Sequence, residues 1–164
     1  TASDGQRASS TNDGSAMRRH LATGPELSAR ELHDLLMLRV EVFVVEQACP
    51  YQEVDGRDLD PTTEHLWLTD EHGISTALRI LADDEGRRIG RVVTRPDRRG
   101  ERLSATLIKS SLAHIGDQTT VLDAQSHLRG FYEALGFSVI GAEYVEDGIP
   151  HLPMSNAVSA SGSE

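Results

Sequence analysis

The sequence predicts an α/β fold, a single domain built on a mixed, mostly antiparallel sheet flanked by helices. Three observations carry that expectation. Two turn signals, Glu71-His72-Gly73 and Asp83-Asp84-Glu85-Gly86, separate apolar runs at 65–69, 74–81 and 89–94, which makes an antiparallel meander the simplest arrangement. The run at 89–94 is followed by an amphipathic segment at 101–115 and a further apolar run at 119–123. A strand–helix–strand crossover of that length favours parallel pairing of the two strands it joins. Last, runs at 139–145 and 149–154 flank Asp147-Gly148 as a closing hairpin.

The elements follow in chain order. Residues 1–16 and 155–164 are rich in Ser, Thr, Asp, Asn and Gly, so disordered tails are expected on either side of a folded unit at 17–154. A weak strand signal at 20–23 precedes Ser28-Ala29-Arg30-Glu31, a capping box flanked by Leu27 and Leu32. Leu32, Leu35, Leu36, Val40 and Phe43 then recur at helical spacing, and Arg39 falls on the same stripe. An arginine there either snorkels out of the core or faces a pocket. Residues 49–63 form a polar connection carrying Glu53, Asp55, Asp58 and Asp60. Gly90, inside the run at 89–94, signals a bulge or a close backbone approach. Pro96 ends that run, and Gly116 stops the helix at 101–115. A shorter helix is expected at 127–135, before Gly136-Phe137. Pro150 and Pro153 place the final strand at a sheet edge.

The formal net charge of −10 over 164 residues argues against nucleic acid or an anionic membrane as the main partner. It is compatible with a cationic amine. Cys49 is the only cysteine, which excludes an intrachain disulfide and a cysteine-rich zinc site. The seven histidines are scattered without ligand spacing, so no metal is expected. No apolar run approaches the ~20 residues that span a bilayer, and the reading is a cytoplasmic protein.

Arg98, Arg99 and Arg102 crowd the turn that opens the helix at 101–115. A helix start leaves amide groups unpaired and carries partial positive charge, so cations there suit a phosphate. The bland alternative is a solvated basic turn.

Placed between a strand and a helix, this segment resembles a known family. Ile89-Gly90-Arg91-Val92-Val93-Thr94 followed by Arg99-Gly100-Glu101-Arg102-Leu103-Ser104 is similar to motif A of the GNAT superfamily of N-acetyltransferases. Gln125 to Phe137 resembles motif B, with Gln125 replacing the usual asparagine and with Tyr132 and Gly136-Phe137 matching. Leu38 to Gln47, Asp123-Ala124-Gln125-Ser126-His127 and Glu146-Asp147-Gly148-Ile149-Pro150-His151 point to the ElaA-like branch. The resemblance implies an acetyl-CoA-dependent N-acetyltransferase, with acetyl-CoA as co-substrate and a small-molecule or peptide amine as acceptor; a homodimer is compatible with it. It implies cofactor contacts from Arg91, Val92, Val93, Thr94, Arg98, Arg99, Gly100, Glu101, Arg102, Leu103, Ser104, Gln125 and Tyr132. Tyr132 is implied as the proton donor to the departing sulfur. Glu46 is the first candidate for the base that deprotonates the amine, ahead of His65, Asp123 and His127. Arg39, His65, Arg79 and His151 are candidate substrate contacts.

The phosphate loop departs from the family pattern, because Arg102 stands where the first glycine belongs and Ser104 where the last small residue belongs. Most helix starts have negative φ. A negative φ at Arg102 is therefore expected, with its side chain outward and available to phosphate; a positive φ there would instead imply weak cofactor binding. Two alternatives stand beside acetyl transfer. Arg39 with Phe43, then Glu53, Asp55, Asp58 and Arg79, also resembles acyl-homoserine-lactone synthases. The lost loop glycines fit a CoA-binding or sensing module without catalysis.

Overall fold

The computed structural model describes residues 17–157; the tails expected at 1–16 and, from residue 158 on, at 155–164 lie outside the described residues. Strand β1 (Arg18–Thr23) leads into helix α1 (Ala29–Arg39). The helix begins where Ser28 Oγ accepts the Glu31 amide at 3.1 Å and Glu31 Oε1 accepts the Ser28 amide at 2.9 Å. Two orphan donors are satisfied at once, as the capping box requires. Beyond Arg39 the chain continues as a π-helical segment, Val40–Glu46.

Strands β2 (Glu64–Asp70), β3 (Gly73–Asp83) and β4 (Gly86–Thr94) form the expected antiparallel meander. Helix α2 (Leu103–Ile115) crosses to β5 (Thr120–Gln125), which pairs parallel to β4. Helix α3 (Arg129–Glu133) is shorter than the expected 127–135, because both flanks wind more tightly. Ser126–Leu128 is a 3-10 turn, and the Leu135 and Gly136 amides donate to Tyr132 and Glu133 carbonyls three residues back. Strands β6 (Ser138–Val139), β7 (Tyr144–Glu146) and β8 (Ile149–Ser155) complete the sheet.

The strand order is β1-β2-β3-β4-β5-β8-β6, with β7 also paired to β8. This corrects the edge position expected for the last strand, since β8 lies between β5 and the short strands β6 and β7. The two prolines are tolerated because neither interrupts a ladder there. Pro150 lies beyond the last β5 pair, Gln125 with His151, while the Pro153 carbonyl accepts the Ile140 amide in the break between β6 and β7. The strand also runs one residue past the expected boundary at Met154. Asn156 then clasps β5, accepting from the Thr120 amide at 2.8 Å and donating to its carbonyl at 3.1 Å.

Alternation along the strands divides the core in two. On one face Leu66, Leu68, Leu78, Ile80, Ile89, Leu122 and Met154 pack against Leu107 and Ile108 of α2 and Tyr132 and Phe137 around α3. On the other, Trp67, Ala77 and Val93 pack against Leu35, Leu38 and Val42.

The β4–β5 ladder is very short. It holds only Arg87 with Thr120 and Arg88 with Val121, after which the two strands part. The closed end is set by Gly86, where φ is 128° and a Cβ would fall 2.4 Å from the Thr119 carbonyl oxygen. Only glycine allows that approach, which lets the Arg87 amide donate to Thr119 at 2.9 Å. Gly86→Ala should therefore destabilise the protein by about 2 kcal/mol or more, read by urea unfolding.

Candidate active site

Past Arg88, the edge of β4 that faces β5 has no strand partner among the described residues, and a wedge opens between them. Its wall is the stretch from Ile89 to Thr94. Ala77 pairs with Val93 and Arg79 with Gly90, so Arg91 and Val92 together oppose Leu78. This is a bulge, immediately after Gly90, and Arg91 adopts φ 52° within it. Arg91, Val92, Val93 and Thr94 thus supply a bent strand edge whose main-chain groups an extended ligand can pair with.

The wedge leads to the basic turn. Gly100 has φ 85°, and Arg102, the residue that caps α2, has φ 59° and ψ 28°. The expected negative φ at Arg102 is thereby overturned. The turn enters α2 through two left-handed residues, and the chain spends an arginine where glycine would be at ease. No side chain caps α2, and its first helical bond runs from the Thr106 amide to the Arg102 carbonyl at 3.1 Å. The amides of Leu103, Ser104 and Ala105 have no acceptor among the described residues, which leaves a positive helix end at the wedge mouth.

The three cations of this turn differ in freedom. Arg98 is engaged by Asp70 Oδ2 at 2.7 Å and by Glu101 Oε2 at 2.5 Å. Arg99 forks onto both oxygens of Glu46 at 2.7 and 2.6 Å. Arg102 is exposed and has no side-chain partner among the described residues. Arg99 therefore joins two residues expected to act separately, and its guanidinium holds the Glu46 carboxyl below the usual range. A depressed carboxylate is a weak proton acceptor while that pair persists.

On α3, Tyr132 is 6% exposed and packs edge-on against Phe131 and Phe137, with ring centroids 5.0 and 6.1 Å away. Burial pushes its phenol up to about 12, so it stays protonated near neutrality and is available as a proton donor. Its hydroxyl makes no hydrogen bond among the described residues. Gln125 ends β5 half-buried, opposite His151. His151 stacks on Tyr144 at 5.8 Å and its Nδ1 donates to the Ile149 carbonyl at 2.7 Å. Of the other base candidates, Asp123 is exposed and paired with Arg88 at 2.6 Å, and His127 is exposed.

The structure puts Arg39, His65 and Arg79 elsewhere, inside a buried ionic cluster. Arg39 binds Glu53 through Nε at 2.6 Å and Asp58 through Nη1 at 2.6 Å. Arg79 binds Asp55 at 2.6 and 2.9 Å and Asp58 at 3.1 Å. His65 donates from Nε2 to the Asp58 carbonyl at 2.9 Å, and burial lowers its pKa so that it stays neutral. Burial alone would raise Asp58, but Arg39 and Arg79 outweigh it and hold the carboxyl down. The space bounded by Leu35, Arg39, His65, Ala77, Leu78, Arg79 and Arg91 admits no water molecule. In this form these three side chains face protein rather than a substrate.

Within the polar connection at 49–63, Glu53 and Asp58 are nevertheless buried, 3% and 4% exposed. Glu53 and Asp58 were missed as organising residues, although a signal existed. Arg39 on an apolar helix stripe and Arg79 within an apolar strand both require buried carboxylates. Arg39→Ala should cost about 3–5 kcal/mol in urea unfolding, because it leaves Glu53 and Asp58 buried with one partner fewer. Arg102→Gly should act oppositely and stabilise by about 0.5–1 kcal/mol, since glycine adopts positive φ without a steric cost.

Comparison with known proteins agrees with this geometry. Residues 25–158 match the family described as "Acetyltransferase (GNAT) domain". A UPF0039 protein of Mycobacterium tuberculosis is 48% identical over 134 residues, covering 79% of this chain and 86% of that protein. Protein ElaA of Escherichia coli is 42% identical over 142 residues, covering 81% and 92%. Its crystal structure superposes with a TM-score of 0.82 at 36% identity, over 87% of this chain and all (100%) of that one. A Pseudomonas aeruginosa structure described as an acyl-CoA N-acyltransferase gives a TM-score of 0.83 at 38% identity, over 87% and 100%. With its wedge, its open helix end and its tyrosine on α3, the chain belongs to the GNAT acetyltransferase family, in the ElaA-like branch.

Proposed function

We propose that this acyltransferase moves an acetyl group from acetyl-CoA directly to a primary amine on a small molecule or peptide. One observation carries the reading: the bare edge of β4 ends at the uncapped start of α2, with Arg102 unpaired beside it. An extended pantetheine chain fits the edge, and a diphosphate fits the amides of Leu103, Ser104 and Ala105. Arg99 becomes available to the same phosphates once it leaves Glu46. Acetyl-CoA supplies the activated thioester; binding, orientation and proton handling fall to the protein.

In this reading the Val92 amide sits beside the thioester carbonyl and stabilises negative charge developing on its oxygen. Tyr132 holds the proton destined for the departing sulfur. Its raised pKa supports a donor role, because the phenol reaches every turnover protonated. The amine must shed a proton before or during attack, and Glu46 is positioned for this only when Arg99 is drawn away. Gln125 and His151, paired across β5 and β8, border the acceptor side of the wedge.

The decisive experiment is a thiol-release assay with acetyl-CoA across a panel of amines, run beside calorimetric titration. Release with at least one amine is expected; no binding of acetyl-CoA at millimolar concentration overturns the reading, and binding without release supports a sensing module instead. Tyr132→Phe should lower kcat about a hundredfold, the usual scale of a general acid. Because its hydroxyl makes no hydrogen bond, stability should stay within about 0.5 kcal/mol of wild type. Unchanged turnover at every pH would remove Tyr132 from the chemistry.

A further inference from the structure

Arg91 occupies a conformation that its sequence neighbour would hold more easily. Its φ of 52° is left-handed, while Gly90, one residue earlier, is not among the positive-φ glycines. A non-glycine residue keeps such a conformation inside a strand only when its surroundings over-determine it. Here the surroundings are specific. Arg91 Nη2 donates to the Glu53 carbonyl at 3.2 Å, Nε lies 3.0 Å from Glu53 Oε2 as an ion pair without hydrogen-bond geometry, and Nη2 is 3.6 Å from Asp55 Oδ2. The guanidinium also sits over the Tyr51 ring, 5.5 Å from its centroid.

The clamp is itself anchored. Tyr51 donates its hydroxyl to Glu53, whose Oε1 also accepts from Arg39 of α1. Asp55 is held by the fork of Arg79 on β3. The connection between α1 and β2 is thus fastened from both sides, and it also contacts the side chain at the bulge of β4. The next two residues are Val92 and Val93.

We propose that Arg91 is a positioning residue for acyl transfer. Its clamped side chain fixes the left-handed bulge and so aims the Val92 amide into the wedge, while Val93 stays paired to Ala77 of β3. The inference rests on the acetyl-transfer reading, and it assigns catalytic consequence to a side chain directed away from the reacting atoms. It also couples the order of the connection between α1 and β2 to the chemistry, since Tyr51, Glu53 and Asp55 belong to that connection rather than to the sheet.

Arg91→Gly tests this well, because glycine accepts the backbone conformation without strain and only the anchor is lost. Its kcat should fall about tenfold or more while its affinity for CoA stays within about threefold, as expected when oxyanion donors lose preorganisation. Arg91→Lys, which restores a charge without the fork, should recover part of the loss. A wild-type kcat in Arg91→Gly, or a loss confined to CoA affinity, overturns the proposal. Amide hydrogen exchange at Val93, which pairs with Ala77 beside the bulge, keeps it separable from the functional reading. Exchange about tenfold faster in folded Arg91→Gly supports the clamp, and equal exchange overturns it, even if wild type transfers no acetyl group to any amine.

Discussion

The structure turns on how little β4 and β5 hold on to each other. Two residue pairs join them, and beyond these the strands diverge while each remains satisfied on its outer side, β4 by β3 and β5 by β8. A sheet with an unpaired interior edge would ordinarily be a liability, because bare main-chain groups invite stray pairing. Here the defect is confined to the centre of the sheet and flanked by helices, so only a slender, extended chain can enter it. Each functional element then follows from the parting. Strand β4 delivers its basic turn and α2 to one lip, and β5 delivers Gln125 and α3 to the other.

A second organising feature is the balance of charge inside the fold. Glu53, Asp55 and Asp58 face Arg39, Arg79 and Arg91, three carboxylates against three guanidiniums. Such clusters contribute little net stability compared with apolar packing, yet they tolerate only one arrangement of partners. That intolerance locates a connection rich in charged residues.

Much of the fold was legible in the sequence because its signals are local. The capping box at Ser28 and Glu31, the meander turns and the crossover length each depend on a few neighbouring residues, and each is found as expected. The bulge was readable from Gly90, though the strained residue is Arg91. The failures came where distant pairing decides. Pro150 and Pro153 suggest an edge, and nothing nearby reveals that the ladder breaks where their missing donors fall. The sign of φ at Arg102 was misjudged because a generic helix start was assumed, whereas this turn copies a glycine geometry with a larger residue. Tyr132 could be recognised from its flanking motif. The pairing of Glu46 with Arg99 spans 53 positions and left no trace in spacing.

The interior placement of β8 bears on how the chain assembles. The last strand described lies between β5 and the short strands β6 and β7, so the second half of the sheet cannot close until residues 149–155 have arrived. During synthesis, the meander and α1 can collapse early on nearby contacts, whereas β5 must wait with one side bare. Folding of that half is therefore slow in relative terms and ends with the insertion of one strand. The same logic makes the segment up to Asn156 indispensable, because its side chain fastens the far end of β5 after the strand is in place.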